Sequence, residues 1–352
     1  MKALVLYEKR NEATELRQVP YPEVGPGDVV IKIKAAAICG ADIEFYRAKL
    51  TSILKPPVIL GHEFCGVVEE IGRDVTEWKS GDRVVSDNTG YVCGKCFACL
   101  TGQYVLCPER RGIGYSMNGG FAEYVRIPEQ ILKRMPDCLH HLPDSLSFTE
   151  GAILEPSVNA YKAVVQEAQL NAGETIAIFG PGPIGLFCLI IARIAGASKI
   201  VLIGLSDDQK RLEMGRQLGA DIIVYADKQN VGKMVYSAIS EEGVDVVIDA
   251  AGAEEVIVHA TEILRPSGRI VKIAWGNIVQ RINLDPLMAK AGTLIGHFGY
   301  NYLSWRNVLR LAAKGVIPYK KMISKVYNLD HWKQAFMSVE NKKVVKAIFT
   351  LD

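Results

Sequence analysis

Up to about residue 150 the apolar positions come in short runs cut by glycine and proline, a pattern of strands and turns rather than of long helices. Met1 to Tyr7 reads as a first strand that soon meets Glu8-Lys9-Arg10. Val29 to Ala35, Phe64 to Ile71 and Phe121 to Ile127 read as further strands, with turns at Gly25-Pro26-Gly27-Asp28 and Lys79-Ser80-Gly81-Asp82. A mostly antiparallel domain with functional loops is expected. Near residue 155 the texture changes. Thr175 to Phe179 is a buried strand, followed by a glycine-rich turn and an apolar helix from Ile184 to Ile194. Strands at Ile200 to Ile203, Ile222 to Tyr225, Val244 to Ile248 and Arg269 to Ile273 then alternate with helices at Asp207 to Leu218, Val231 to Ile239 and Glu254 to Leu264. Such alternation predicts an α/β fold with a doubly wound parallel sheet. From about residue 289 the pattern is mixed again. Residues 1–154 with 289–352 are therefore expected to form one domain, and residues 155–288 the other.

Composition narrows the function classes. The chain has 352 residues, enough for two domains, and a formal net charge of +2 gives no reason to expect nucleic acid or an anionic membrane as partner. The N-terminal apolar run is too short for a signal-peptide core, and no apolar stretch reaches the ~20 residues of a membrane span. The cytoplasm is the expected location. Of eight cysteines, four crowd together as Cys93, Cys96, Cys99 and Cys107; the others are Cys39, Cys65, Cys138 and Cys188. A disulfide framework belongs to small secreted chains, so metal ligation is the better reading of the cluster.

Gly180-Pro181-Gly182-Pro183-Ile184-Gly185 fits G-x-G-x-x-G between a predicted strand and a predicted helix, the context in which that pattern binds a dinucleotide. Gly180 permits the tight turn, Gly182 lets the backbone approach the pyrophosphate, and Gly185 lets the helix pack on the strand. The helix N-terminus offers unpaired N–H groups to the phosphates. An acid ~20 residues on would bind the ribose diol of NAD. That place falls on Gly204, which carries no carboxylate. Asp207 and Asp208 read as caps of the next helix, with Ser206 or Asp207 at its N-cap. Ser206, Lys210 and Arg211 are candidates to hold a 2′-phosphate, or else a solvated helix face. The expected cofactor is thus NAD or NADP, with a lean to NADP.

Cys93-Gly-Lys-Cys96-Phe-Ala-Cys99 with Cys107 supplies four thiolates on one short loop, a closed tetrahedral set suited to a structural zinc. A second group is dispersed: Cys39 before Gly40-Ala41-Asp42, His62 and Glu63 after Gly61, and Glu155 between Leu154 and Pro156. Taken singly, a cysteine, a histidine and a glutamate carry no such signal.

Gly61-His62-Glu63-Phe64-Cys65-Gly66 with the later Gly72 resembles the signature of the zinc alcohol dehydrogenases. Gly81-Asp82-Arg83-Val84, the four-cysteine lobe, Gly119-Gly120-Phe121-Ala122-Glu123-Tyr124 and the glycine turn follow in that family's order. Over essentially its full length the chain looks like a medium-chain zinc dehydrogenase. The resemblance implies a Rossmann domain beside a mostly antiparallel GroES-like catalytic domain, and two zinc ions per chain. Cys39 and His62 would bind a catalytic zinc, with Glu63 and Glu155 where the polyol and threonine dehydrogenases carry acids. Asp42 would fix the tautomer of His62. Relatives commonly carry serine or threonine two residues after the zinc cysteine; here Ala41 can pass no proton. The implied chemistry is metal-assisted hydride transfer between an alcohol carbon and a nicotinamide. A polyol or sugar, free or phosphorylated, is the first substrate choice and a hydroxy amino acid such as threonine the second. A homodimer or homotetramer is implied as well. A zinc-free reductase would lack Cys39, His62 and Glu155, and a non-catalytic zinc-module binding protein would need a more basic surface than Lys95, Arg110 and Arg111 provide beside Glu109.

Overall fold

The computed structural model describes residues 1–275 and 282–351. Its first eight strands are β1 (Lys2–Leu6), β2 (Thr14–Gln18), β3 (Val29–Ala37), β4 (Val58–Ile59), β5 (Glu63–Ile71), β6 (Arg83–Ser86), β7 (Tyr124–Ile127) and β8 (Leu139–His141). Six more follow with helices between most of them: β9 (Thr175–Phe179), β10 (Lys199–Gly204), β11 (Ile222–Tyr225), β12 (Val244–Asp249), β13 (Leu264–Lys272) and β14 (Thr293–Gly296). After a helix at Tyr302–Ala313 the chain ends on β15 (Ile323–Asn328) and β16 (Lys346–Thr350).

Two compact units result, Met1–Glu155 with Asn301–Asp352, and Pro156–Tyr300. In the first, β15, β16, β3, β5, β6 and β8 hydrogen-bond in that order, β7 also pairs with β3, and β2-β1-β4 form a small separate sheet. All of these pairings are antiparallel except β15 with β16. Alternating side chains of these strands fill a core that includes Phe64, Phe121, Phe336 and Phe349. Phe121 meets Phe349 edge to face at 5.2 Å.

The second unit is a parallel sheet in the order β11-β10-β9-β12-β13-β14. Its strands are near-continuous apolar runs because helices cover both faces, and Ala177, Val201, Ile203, Val247 and Ile270 are buried between them. The sequence pattern returns the chain to the first domain at residue 289, whereas β14 bonds to β13 and keeps residues up to Tyr300 with the parallel sheet. The helix expected from Asp207 runs over Gln209–Gln217, and Asp208 is its N-cap in place of Ser206 or Asp207. A single 3-10 turn, Ser206–Asp208, separates it from β10. No helix among the described residues is long and apolar enough to cross a membrane.

Candidate metal and dinucleotide sites

Three hydrogen-bonded strands of the first unit bring the dispersed residues together. β3 ends at Ala37, which pairs with Glu63 at the start of β5; Ile348 of β16 pairs with the same Ala37. Cys39 follows the end of β3, His62 immediately precedes β5, Glu63 opens it, and Lys346 opens β16, so side chains from three distant segments share one sheet end. Ligand atoms of Cys39, His62 and Glu63 all lie within 4.8 Å of one another, close enough for side-chain rotation to reach one ion's bond lengths of about 2.0–2.3 Å.

The loop before β5 is shaped by a second motif. Gly119 lies so close to the Gly61 carbonyl that a Cβ would sit 2.1 Å from its oxygen, and Gly120 N–H donates to that oxygen at 2.8 Å. The Gly-Gly-Phe run thus packs on the backbone that carries His62.

Asp42 stands in the first turn of the helix Gly40–Tyr46, where its Oδ2 accepts from the Cys39 N–H at 2.9 Å. Its Oδ1 faces His62 Nδ1 at 3.4 Å, which turns Nε2 the other way. Both facing atoms are buried and make no hydrogen bond among the described residues. Burial pushes the Cys39 thiol up, against the pull of His62. Burial works to lower the His62 pKa, but Asp42 and Cys39 outweigh it and hold it well above the usual imidazole range.

Lys346 is 1% exposed, and it donates to Glu63 Oε2 and, at 3.0 Å, to the Ile38 carbonyl. Burial would strip its proton, yet Glu63 and then Cys39 raise its pKa. The sequence reading missed this residue. Its signal was a lysine inside the apolar run Val344 to Phe349. This fixed ammonium is paired with Glu63 and also feels the Cys39 thiol and Glu155. Thiol, imidazole and carboxylate donors gathered at one point suit a zinc ion.

Glu155 lies outside this three-residue group. It stands in the first turn of the helix Leu154–Tyr161, and its Oε1 accepts from Asn88 Nδ2 at 3.1 Å. Asn88 in turn accepts from Arg110 at 3.1 Å. Asn88 and Arg110 are further residues that the motif reading did not single out.

The four-cysteine lobe forms a compact set of its own, with all four sulfurs within 4.8 Å of one another. Cys93 and Cys99 sulfurs are 3.9 Å apart, so they are thiols and not a disulfide. Backbone N–H groups of Lys95 and Cys96 help push the Cys93 pKa down to about 7, while burial pushes Cys99 up to about 12. Four converging sulfurs with one already prone to ionise fit a closed zinc site. Cys65, Cys138 and Cys188 are buried thiols whose pKa values burial raises, and they read as packing.

In the second unit the glycine turn joins β9 to the helix Pro183–Ile194, with Pro183 in its first turn and Gly182 as N-cap. Gly180 has φ +95°, and a Cβ on Gly185 would lie 1.9 Å from the Gly180 carbonyl oxygen. Both positions exclude a side chain. A Cβ on Gly182 would meet nothing within 4 Å, and no side chain caps the helix. An open approach to an uncapped helix N-terminus fits a pyrophosphate.

Gly204 ends β10 beside this turn, where a Cβ would press on Pro181 at 2.9 Å and Leu212 at 3.1 Å. Ser206 is not free to hold a phosphate: its N–H donates to Asp227 Oδ1 at 2.8 Å and its hydroxyl to Oδ2. Lys210 is exposed, and Arg211 is half-buried, with burial lowering its pKa. Asp227, from the loop after β11, was not among the sequence candidates, because it belongs to a different strand.

Sequence profiles agree with this geometry. Residues 25–137 match the alcohol dehydrogenase GroES-like domain, and residues 183–314 the zinc-binding dehydrogenase domain. The chain is 38% identical to an uncharacterised zinc-type alcohol dehydrogenase-like protein of Escherichia coli, over 100% of this chain and 99% of that one. It is 37% identical to the D-arabitol-phosphate dehydrogenase of Enterococcus avium, covering 93% of this chain and 91% of the relative. Among solved structures, the 2R,3R-butanediol dehydrogenase of Bacillus subtilis superposes with a TM-score of 0.89 at 30% identity, over 100% and 99% of the two chains. The chain belongs to the medium-chain zinc-dependent alcohol dehydrogenase family, in its polyol and threonine dehydrogenase branch.

Proposed function

We propose that this chain oxidises a secondary alcohol of a polyol or sugar, free or phosphorylated, with a nicotinamide dinucleotide as hydride acceptor and two zinc ions per chain. The carrying observation is the convergence of Cys39, His62 and Glu63 at one sheet end, beside a separate four-cysteine lobe. In this reading residues 1–155 and 301–352 are the catalytic unit, and residues 156–300 bind the dinucleotide. Cys39, His62, Glu63 and Glu155 hold the catalytic zinc, and Cys93, Cys96, Cys99 and Cys107 the structural one. The phosphorylated option draws support from the D-arabitol-phosphate dehydrogenase relative, and the hydroxy amino acid alternative from an L-threonine 3-dehydrogenase relative at 33% identity.

Bound at these residues, zinc would supply the Lewis acidity that lowers an alcohol's pKa, and the dinucleotide would supply the hydride-accepting nicotinamide. The chain's own groups set this up. Asp42 orients His62 so that Nε2 faces the site, and Asn88 with Arg110 holds the Glu155 carboxylate. Lys346 holds the Glu63 carboxylate in place where both are buried. Gly182 leaves the helix N-terminus open to the pyrophosphate. Ala41 offers no hydroxyl, so the alcohol proton leaves by water, a substrate hydroxyl or a carboxylate.

We further infer a homo-oligomer: β14 forms one edge of the parallel sheet, with Leu294 on that strand and Met288 just before it exposed. All eight cysteines are free, in keeping with the cytoplasm. Metal analysis with a screen of polyols, sugars, sugar phosphates and hydroxy amino acids, run with NAD and NADP in parallel, tests the proposal. Two zinc per chain and oxidation of at least one polyol class are expected. A Cys39→Ala variant with wild-type turnover would refute the catalytic assignment.

A further inference from the structure

We propose that Asp227, reaching over from the loop after β11, is the acid that receives the cofactor's adenosine ribose and makes the chain selective for NAD over NADP. This rests on the dinucleotide reading above and reverses the lean drawn from Gly204. The acid was sought at the end of β10 because that is where the fold ordinarily carries it. Gly204 does not supply it: it has no side chain, and a Cβ there would press on Pro181 of the glycine turn at 2.9 Å and on Leu212 at 3.1 Å.

The parallel register offers a substitute. Gly204 of β10 pairs with Tyr225 of β11, and Ala226 N–H donates to the Gly204 carbonyl at 2.8 Å. Carried two residues past each strand end, that register sets Asp227 opposite Ser206. There Asp227 accepts from both the backbone N–H and the hydroxyl of Ser206, which pins the carboxylate to the tip of β10. The hydrogen bond from the Ser206 side chain also holds its pKa below the usual carboxylate range, so it is charged at neutral pH.

An ionised carboxylate has about four acceptor positions, of which Ser206 uses two. Asp227 is exposed, so the remaining positions are open at the same end of the parallel sheet as the glycine turn. A ribose 2′-hydroxyl donates to such a group. A 2′-phosphate, with a charge near −2, has nothing to donate and is repelled. The same contact takes the Ser206 hydroxyl out of any phosphate site. Lys210 and Lys228 are exposed flexible cations and Arg211 is half-buried, a weak counterweight to a fixed anion.

Fluorescence titration of the zinc-loaded protein with NADH and with NADPH, in the absence of substrate, reads the selectivity as a ratio of dissociation constants. NADH is expected to bind tighter by on the order of tenfold, the scale of one close like-charge contact in water. In Asp227→Ser the ratio should fall toward one, mainly through tighter NADPH. Ser206→Ala keeps the acid but loosens it, so an intermediate ratio is expected. Equal or tighter binding of NADPH by the unmutated protein overturns the proposal without relying on any variant, as does an unchanged ratio in Asp227→Ser. If neither cofactor binds, the dinucleotide reading falls with it, an outcome distinct from lost selectivity.

Discussion

Replacing Lys346 by methionine tests whether the sheet end that carries Cys39, His62 and Glu63 depends on one buried cation. Methionine retains most of the length and the apolar stem of lysine, so no large cavity opens and the change is chiefly electrostatic. Two interactions are lost: the ion pair with Glu63 and the donation to the Ile38 carbonyl at 3.0 Å. Both Lys346 and Glu63 are 1% exposed, so water cannot replace the ammonium. Removing one partner of a buried pair costs about 3–5 kcal/mol, because the other charge is left uncompensated. The thermal midpoint of a unit this size should fall by roughly 10 °C. Urea unfolding of metal-free wild type, Lys346→Met, Glu63→Gln and the double variant, with no zinc present to compensate Glu63, measures this and gives the coupling between the two residues. The double variant should recover a good part of the loss, since it leaves no naked carboxylate. A Lys346→Met cost under about 1 kcal/mol, or a double variant as unstable as the two single losses combined, would refute the reasoning.

Other perturbations probe different parts of the molecule. Cys96→Ser should remove one zinc per chain by metal analysis while leaving the second, and should open the 93–107 loop to limited proteolysis; zinc stoichiometry equal to wild type would contradict the closed four-thiolate site. Gly204→Asp, the obvious way to install an acid at the end of β10, should instead destabilise the protein by about 1–3 kcal/mol in urea, because its Cβ meets Pro181 at 2.9 Å. His140 stacks on Trp305 at 4.7 Å, and burial pushes its pKa down to about 4. The unfolded chain takes up that proton below pH ~6.5 and the folded one does not, so stability should drop as pH falls from about 6.5 to 4, by up to about 1.4 kcal/mol per pH unit. His140→Phe keeps the stack and should flatten that part of the profile; an unchanged slope would show that other groups control it.

Local chemistry was the part of this protein written plainly in one dimension. Four cysteines within fifteen residues need only a short loop to converge, and the structure gathers their sulfurs. The glycine turn was equally legible, since Gly180 and Gly185 are required by backbone contacts within the turn and its neighbouring strand. Alternating apolar strands and helices announced the parallel sheet, because each burial pattern repeats over a few residues.

What the tertiary structure decided were meetings between residues of different strands. Lys346 lies 283 positions from Glu63, and nothing local says that β16 pairs with β3 beside β5. Asp227 meets Ser206 only because β11 is the neighbour of β10, and the Pro181 contact that bars a side chain from Gly204 is likewise non-local. The residues at 289–300 stayed with the parallel sheet for the same reason, a strand pairing that their own pattern does not reveal. Short-range periodicity and spacing state what a segment can be. Which charges it will face depends on strand order and register, and only the folded chain specifies those.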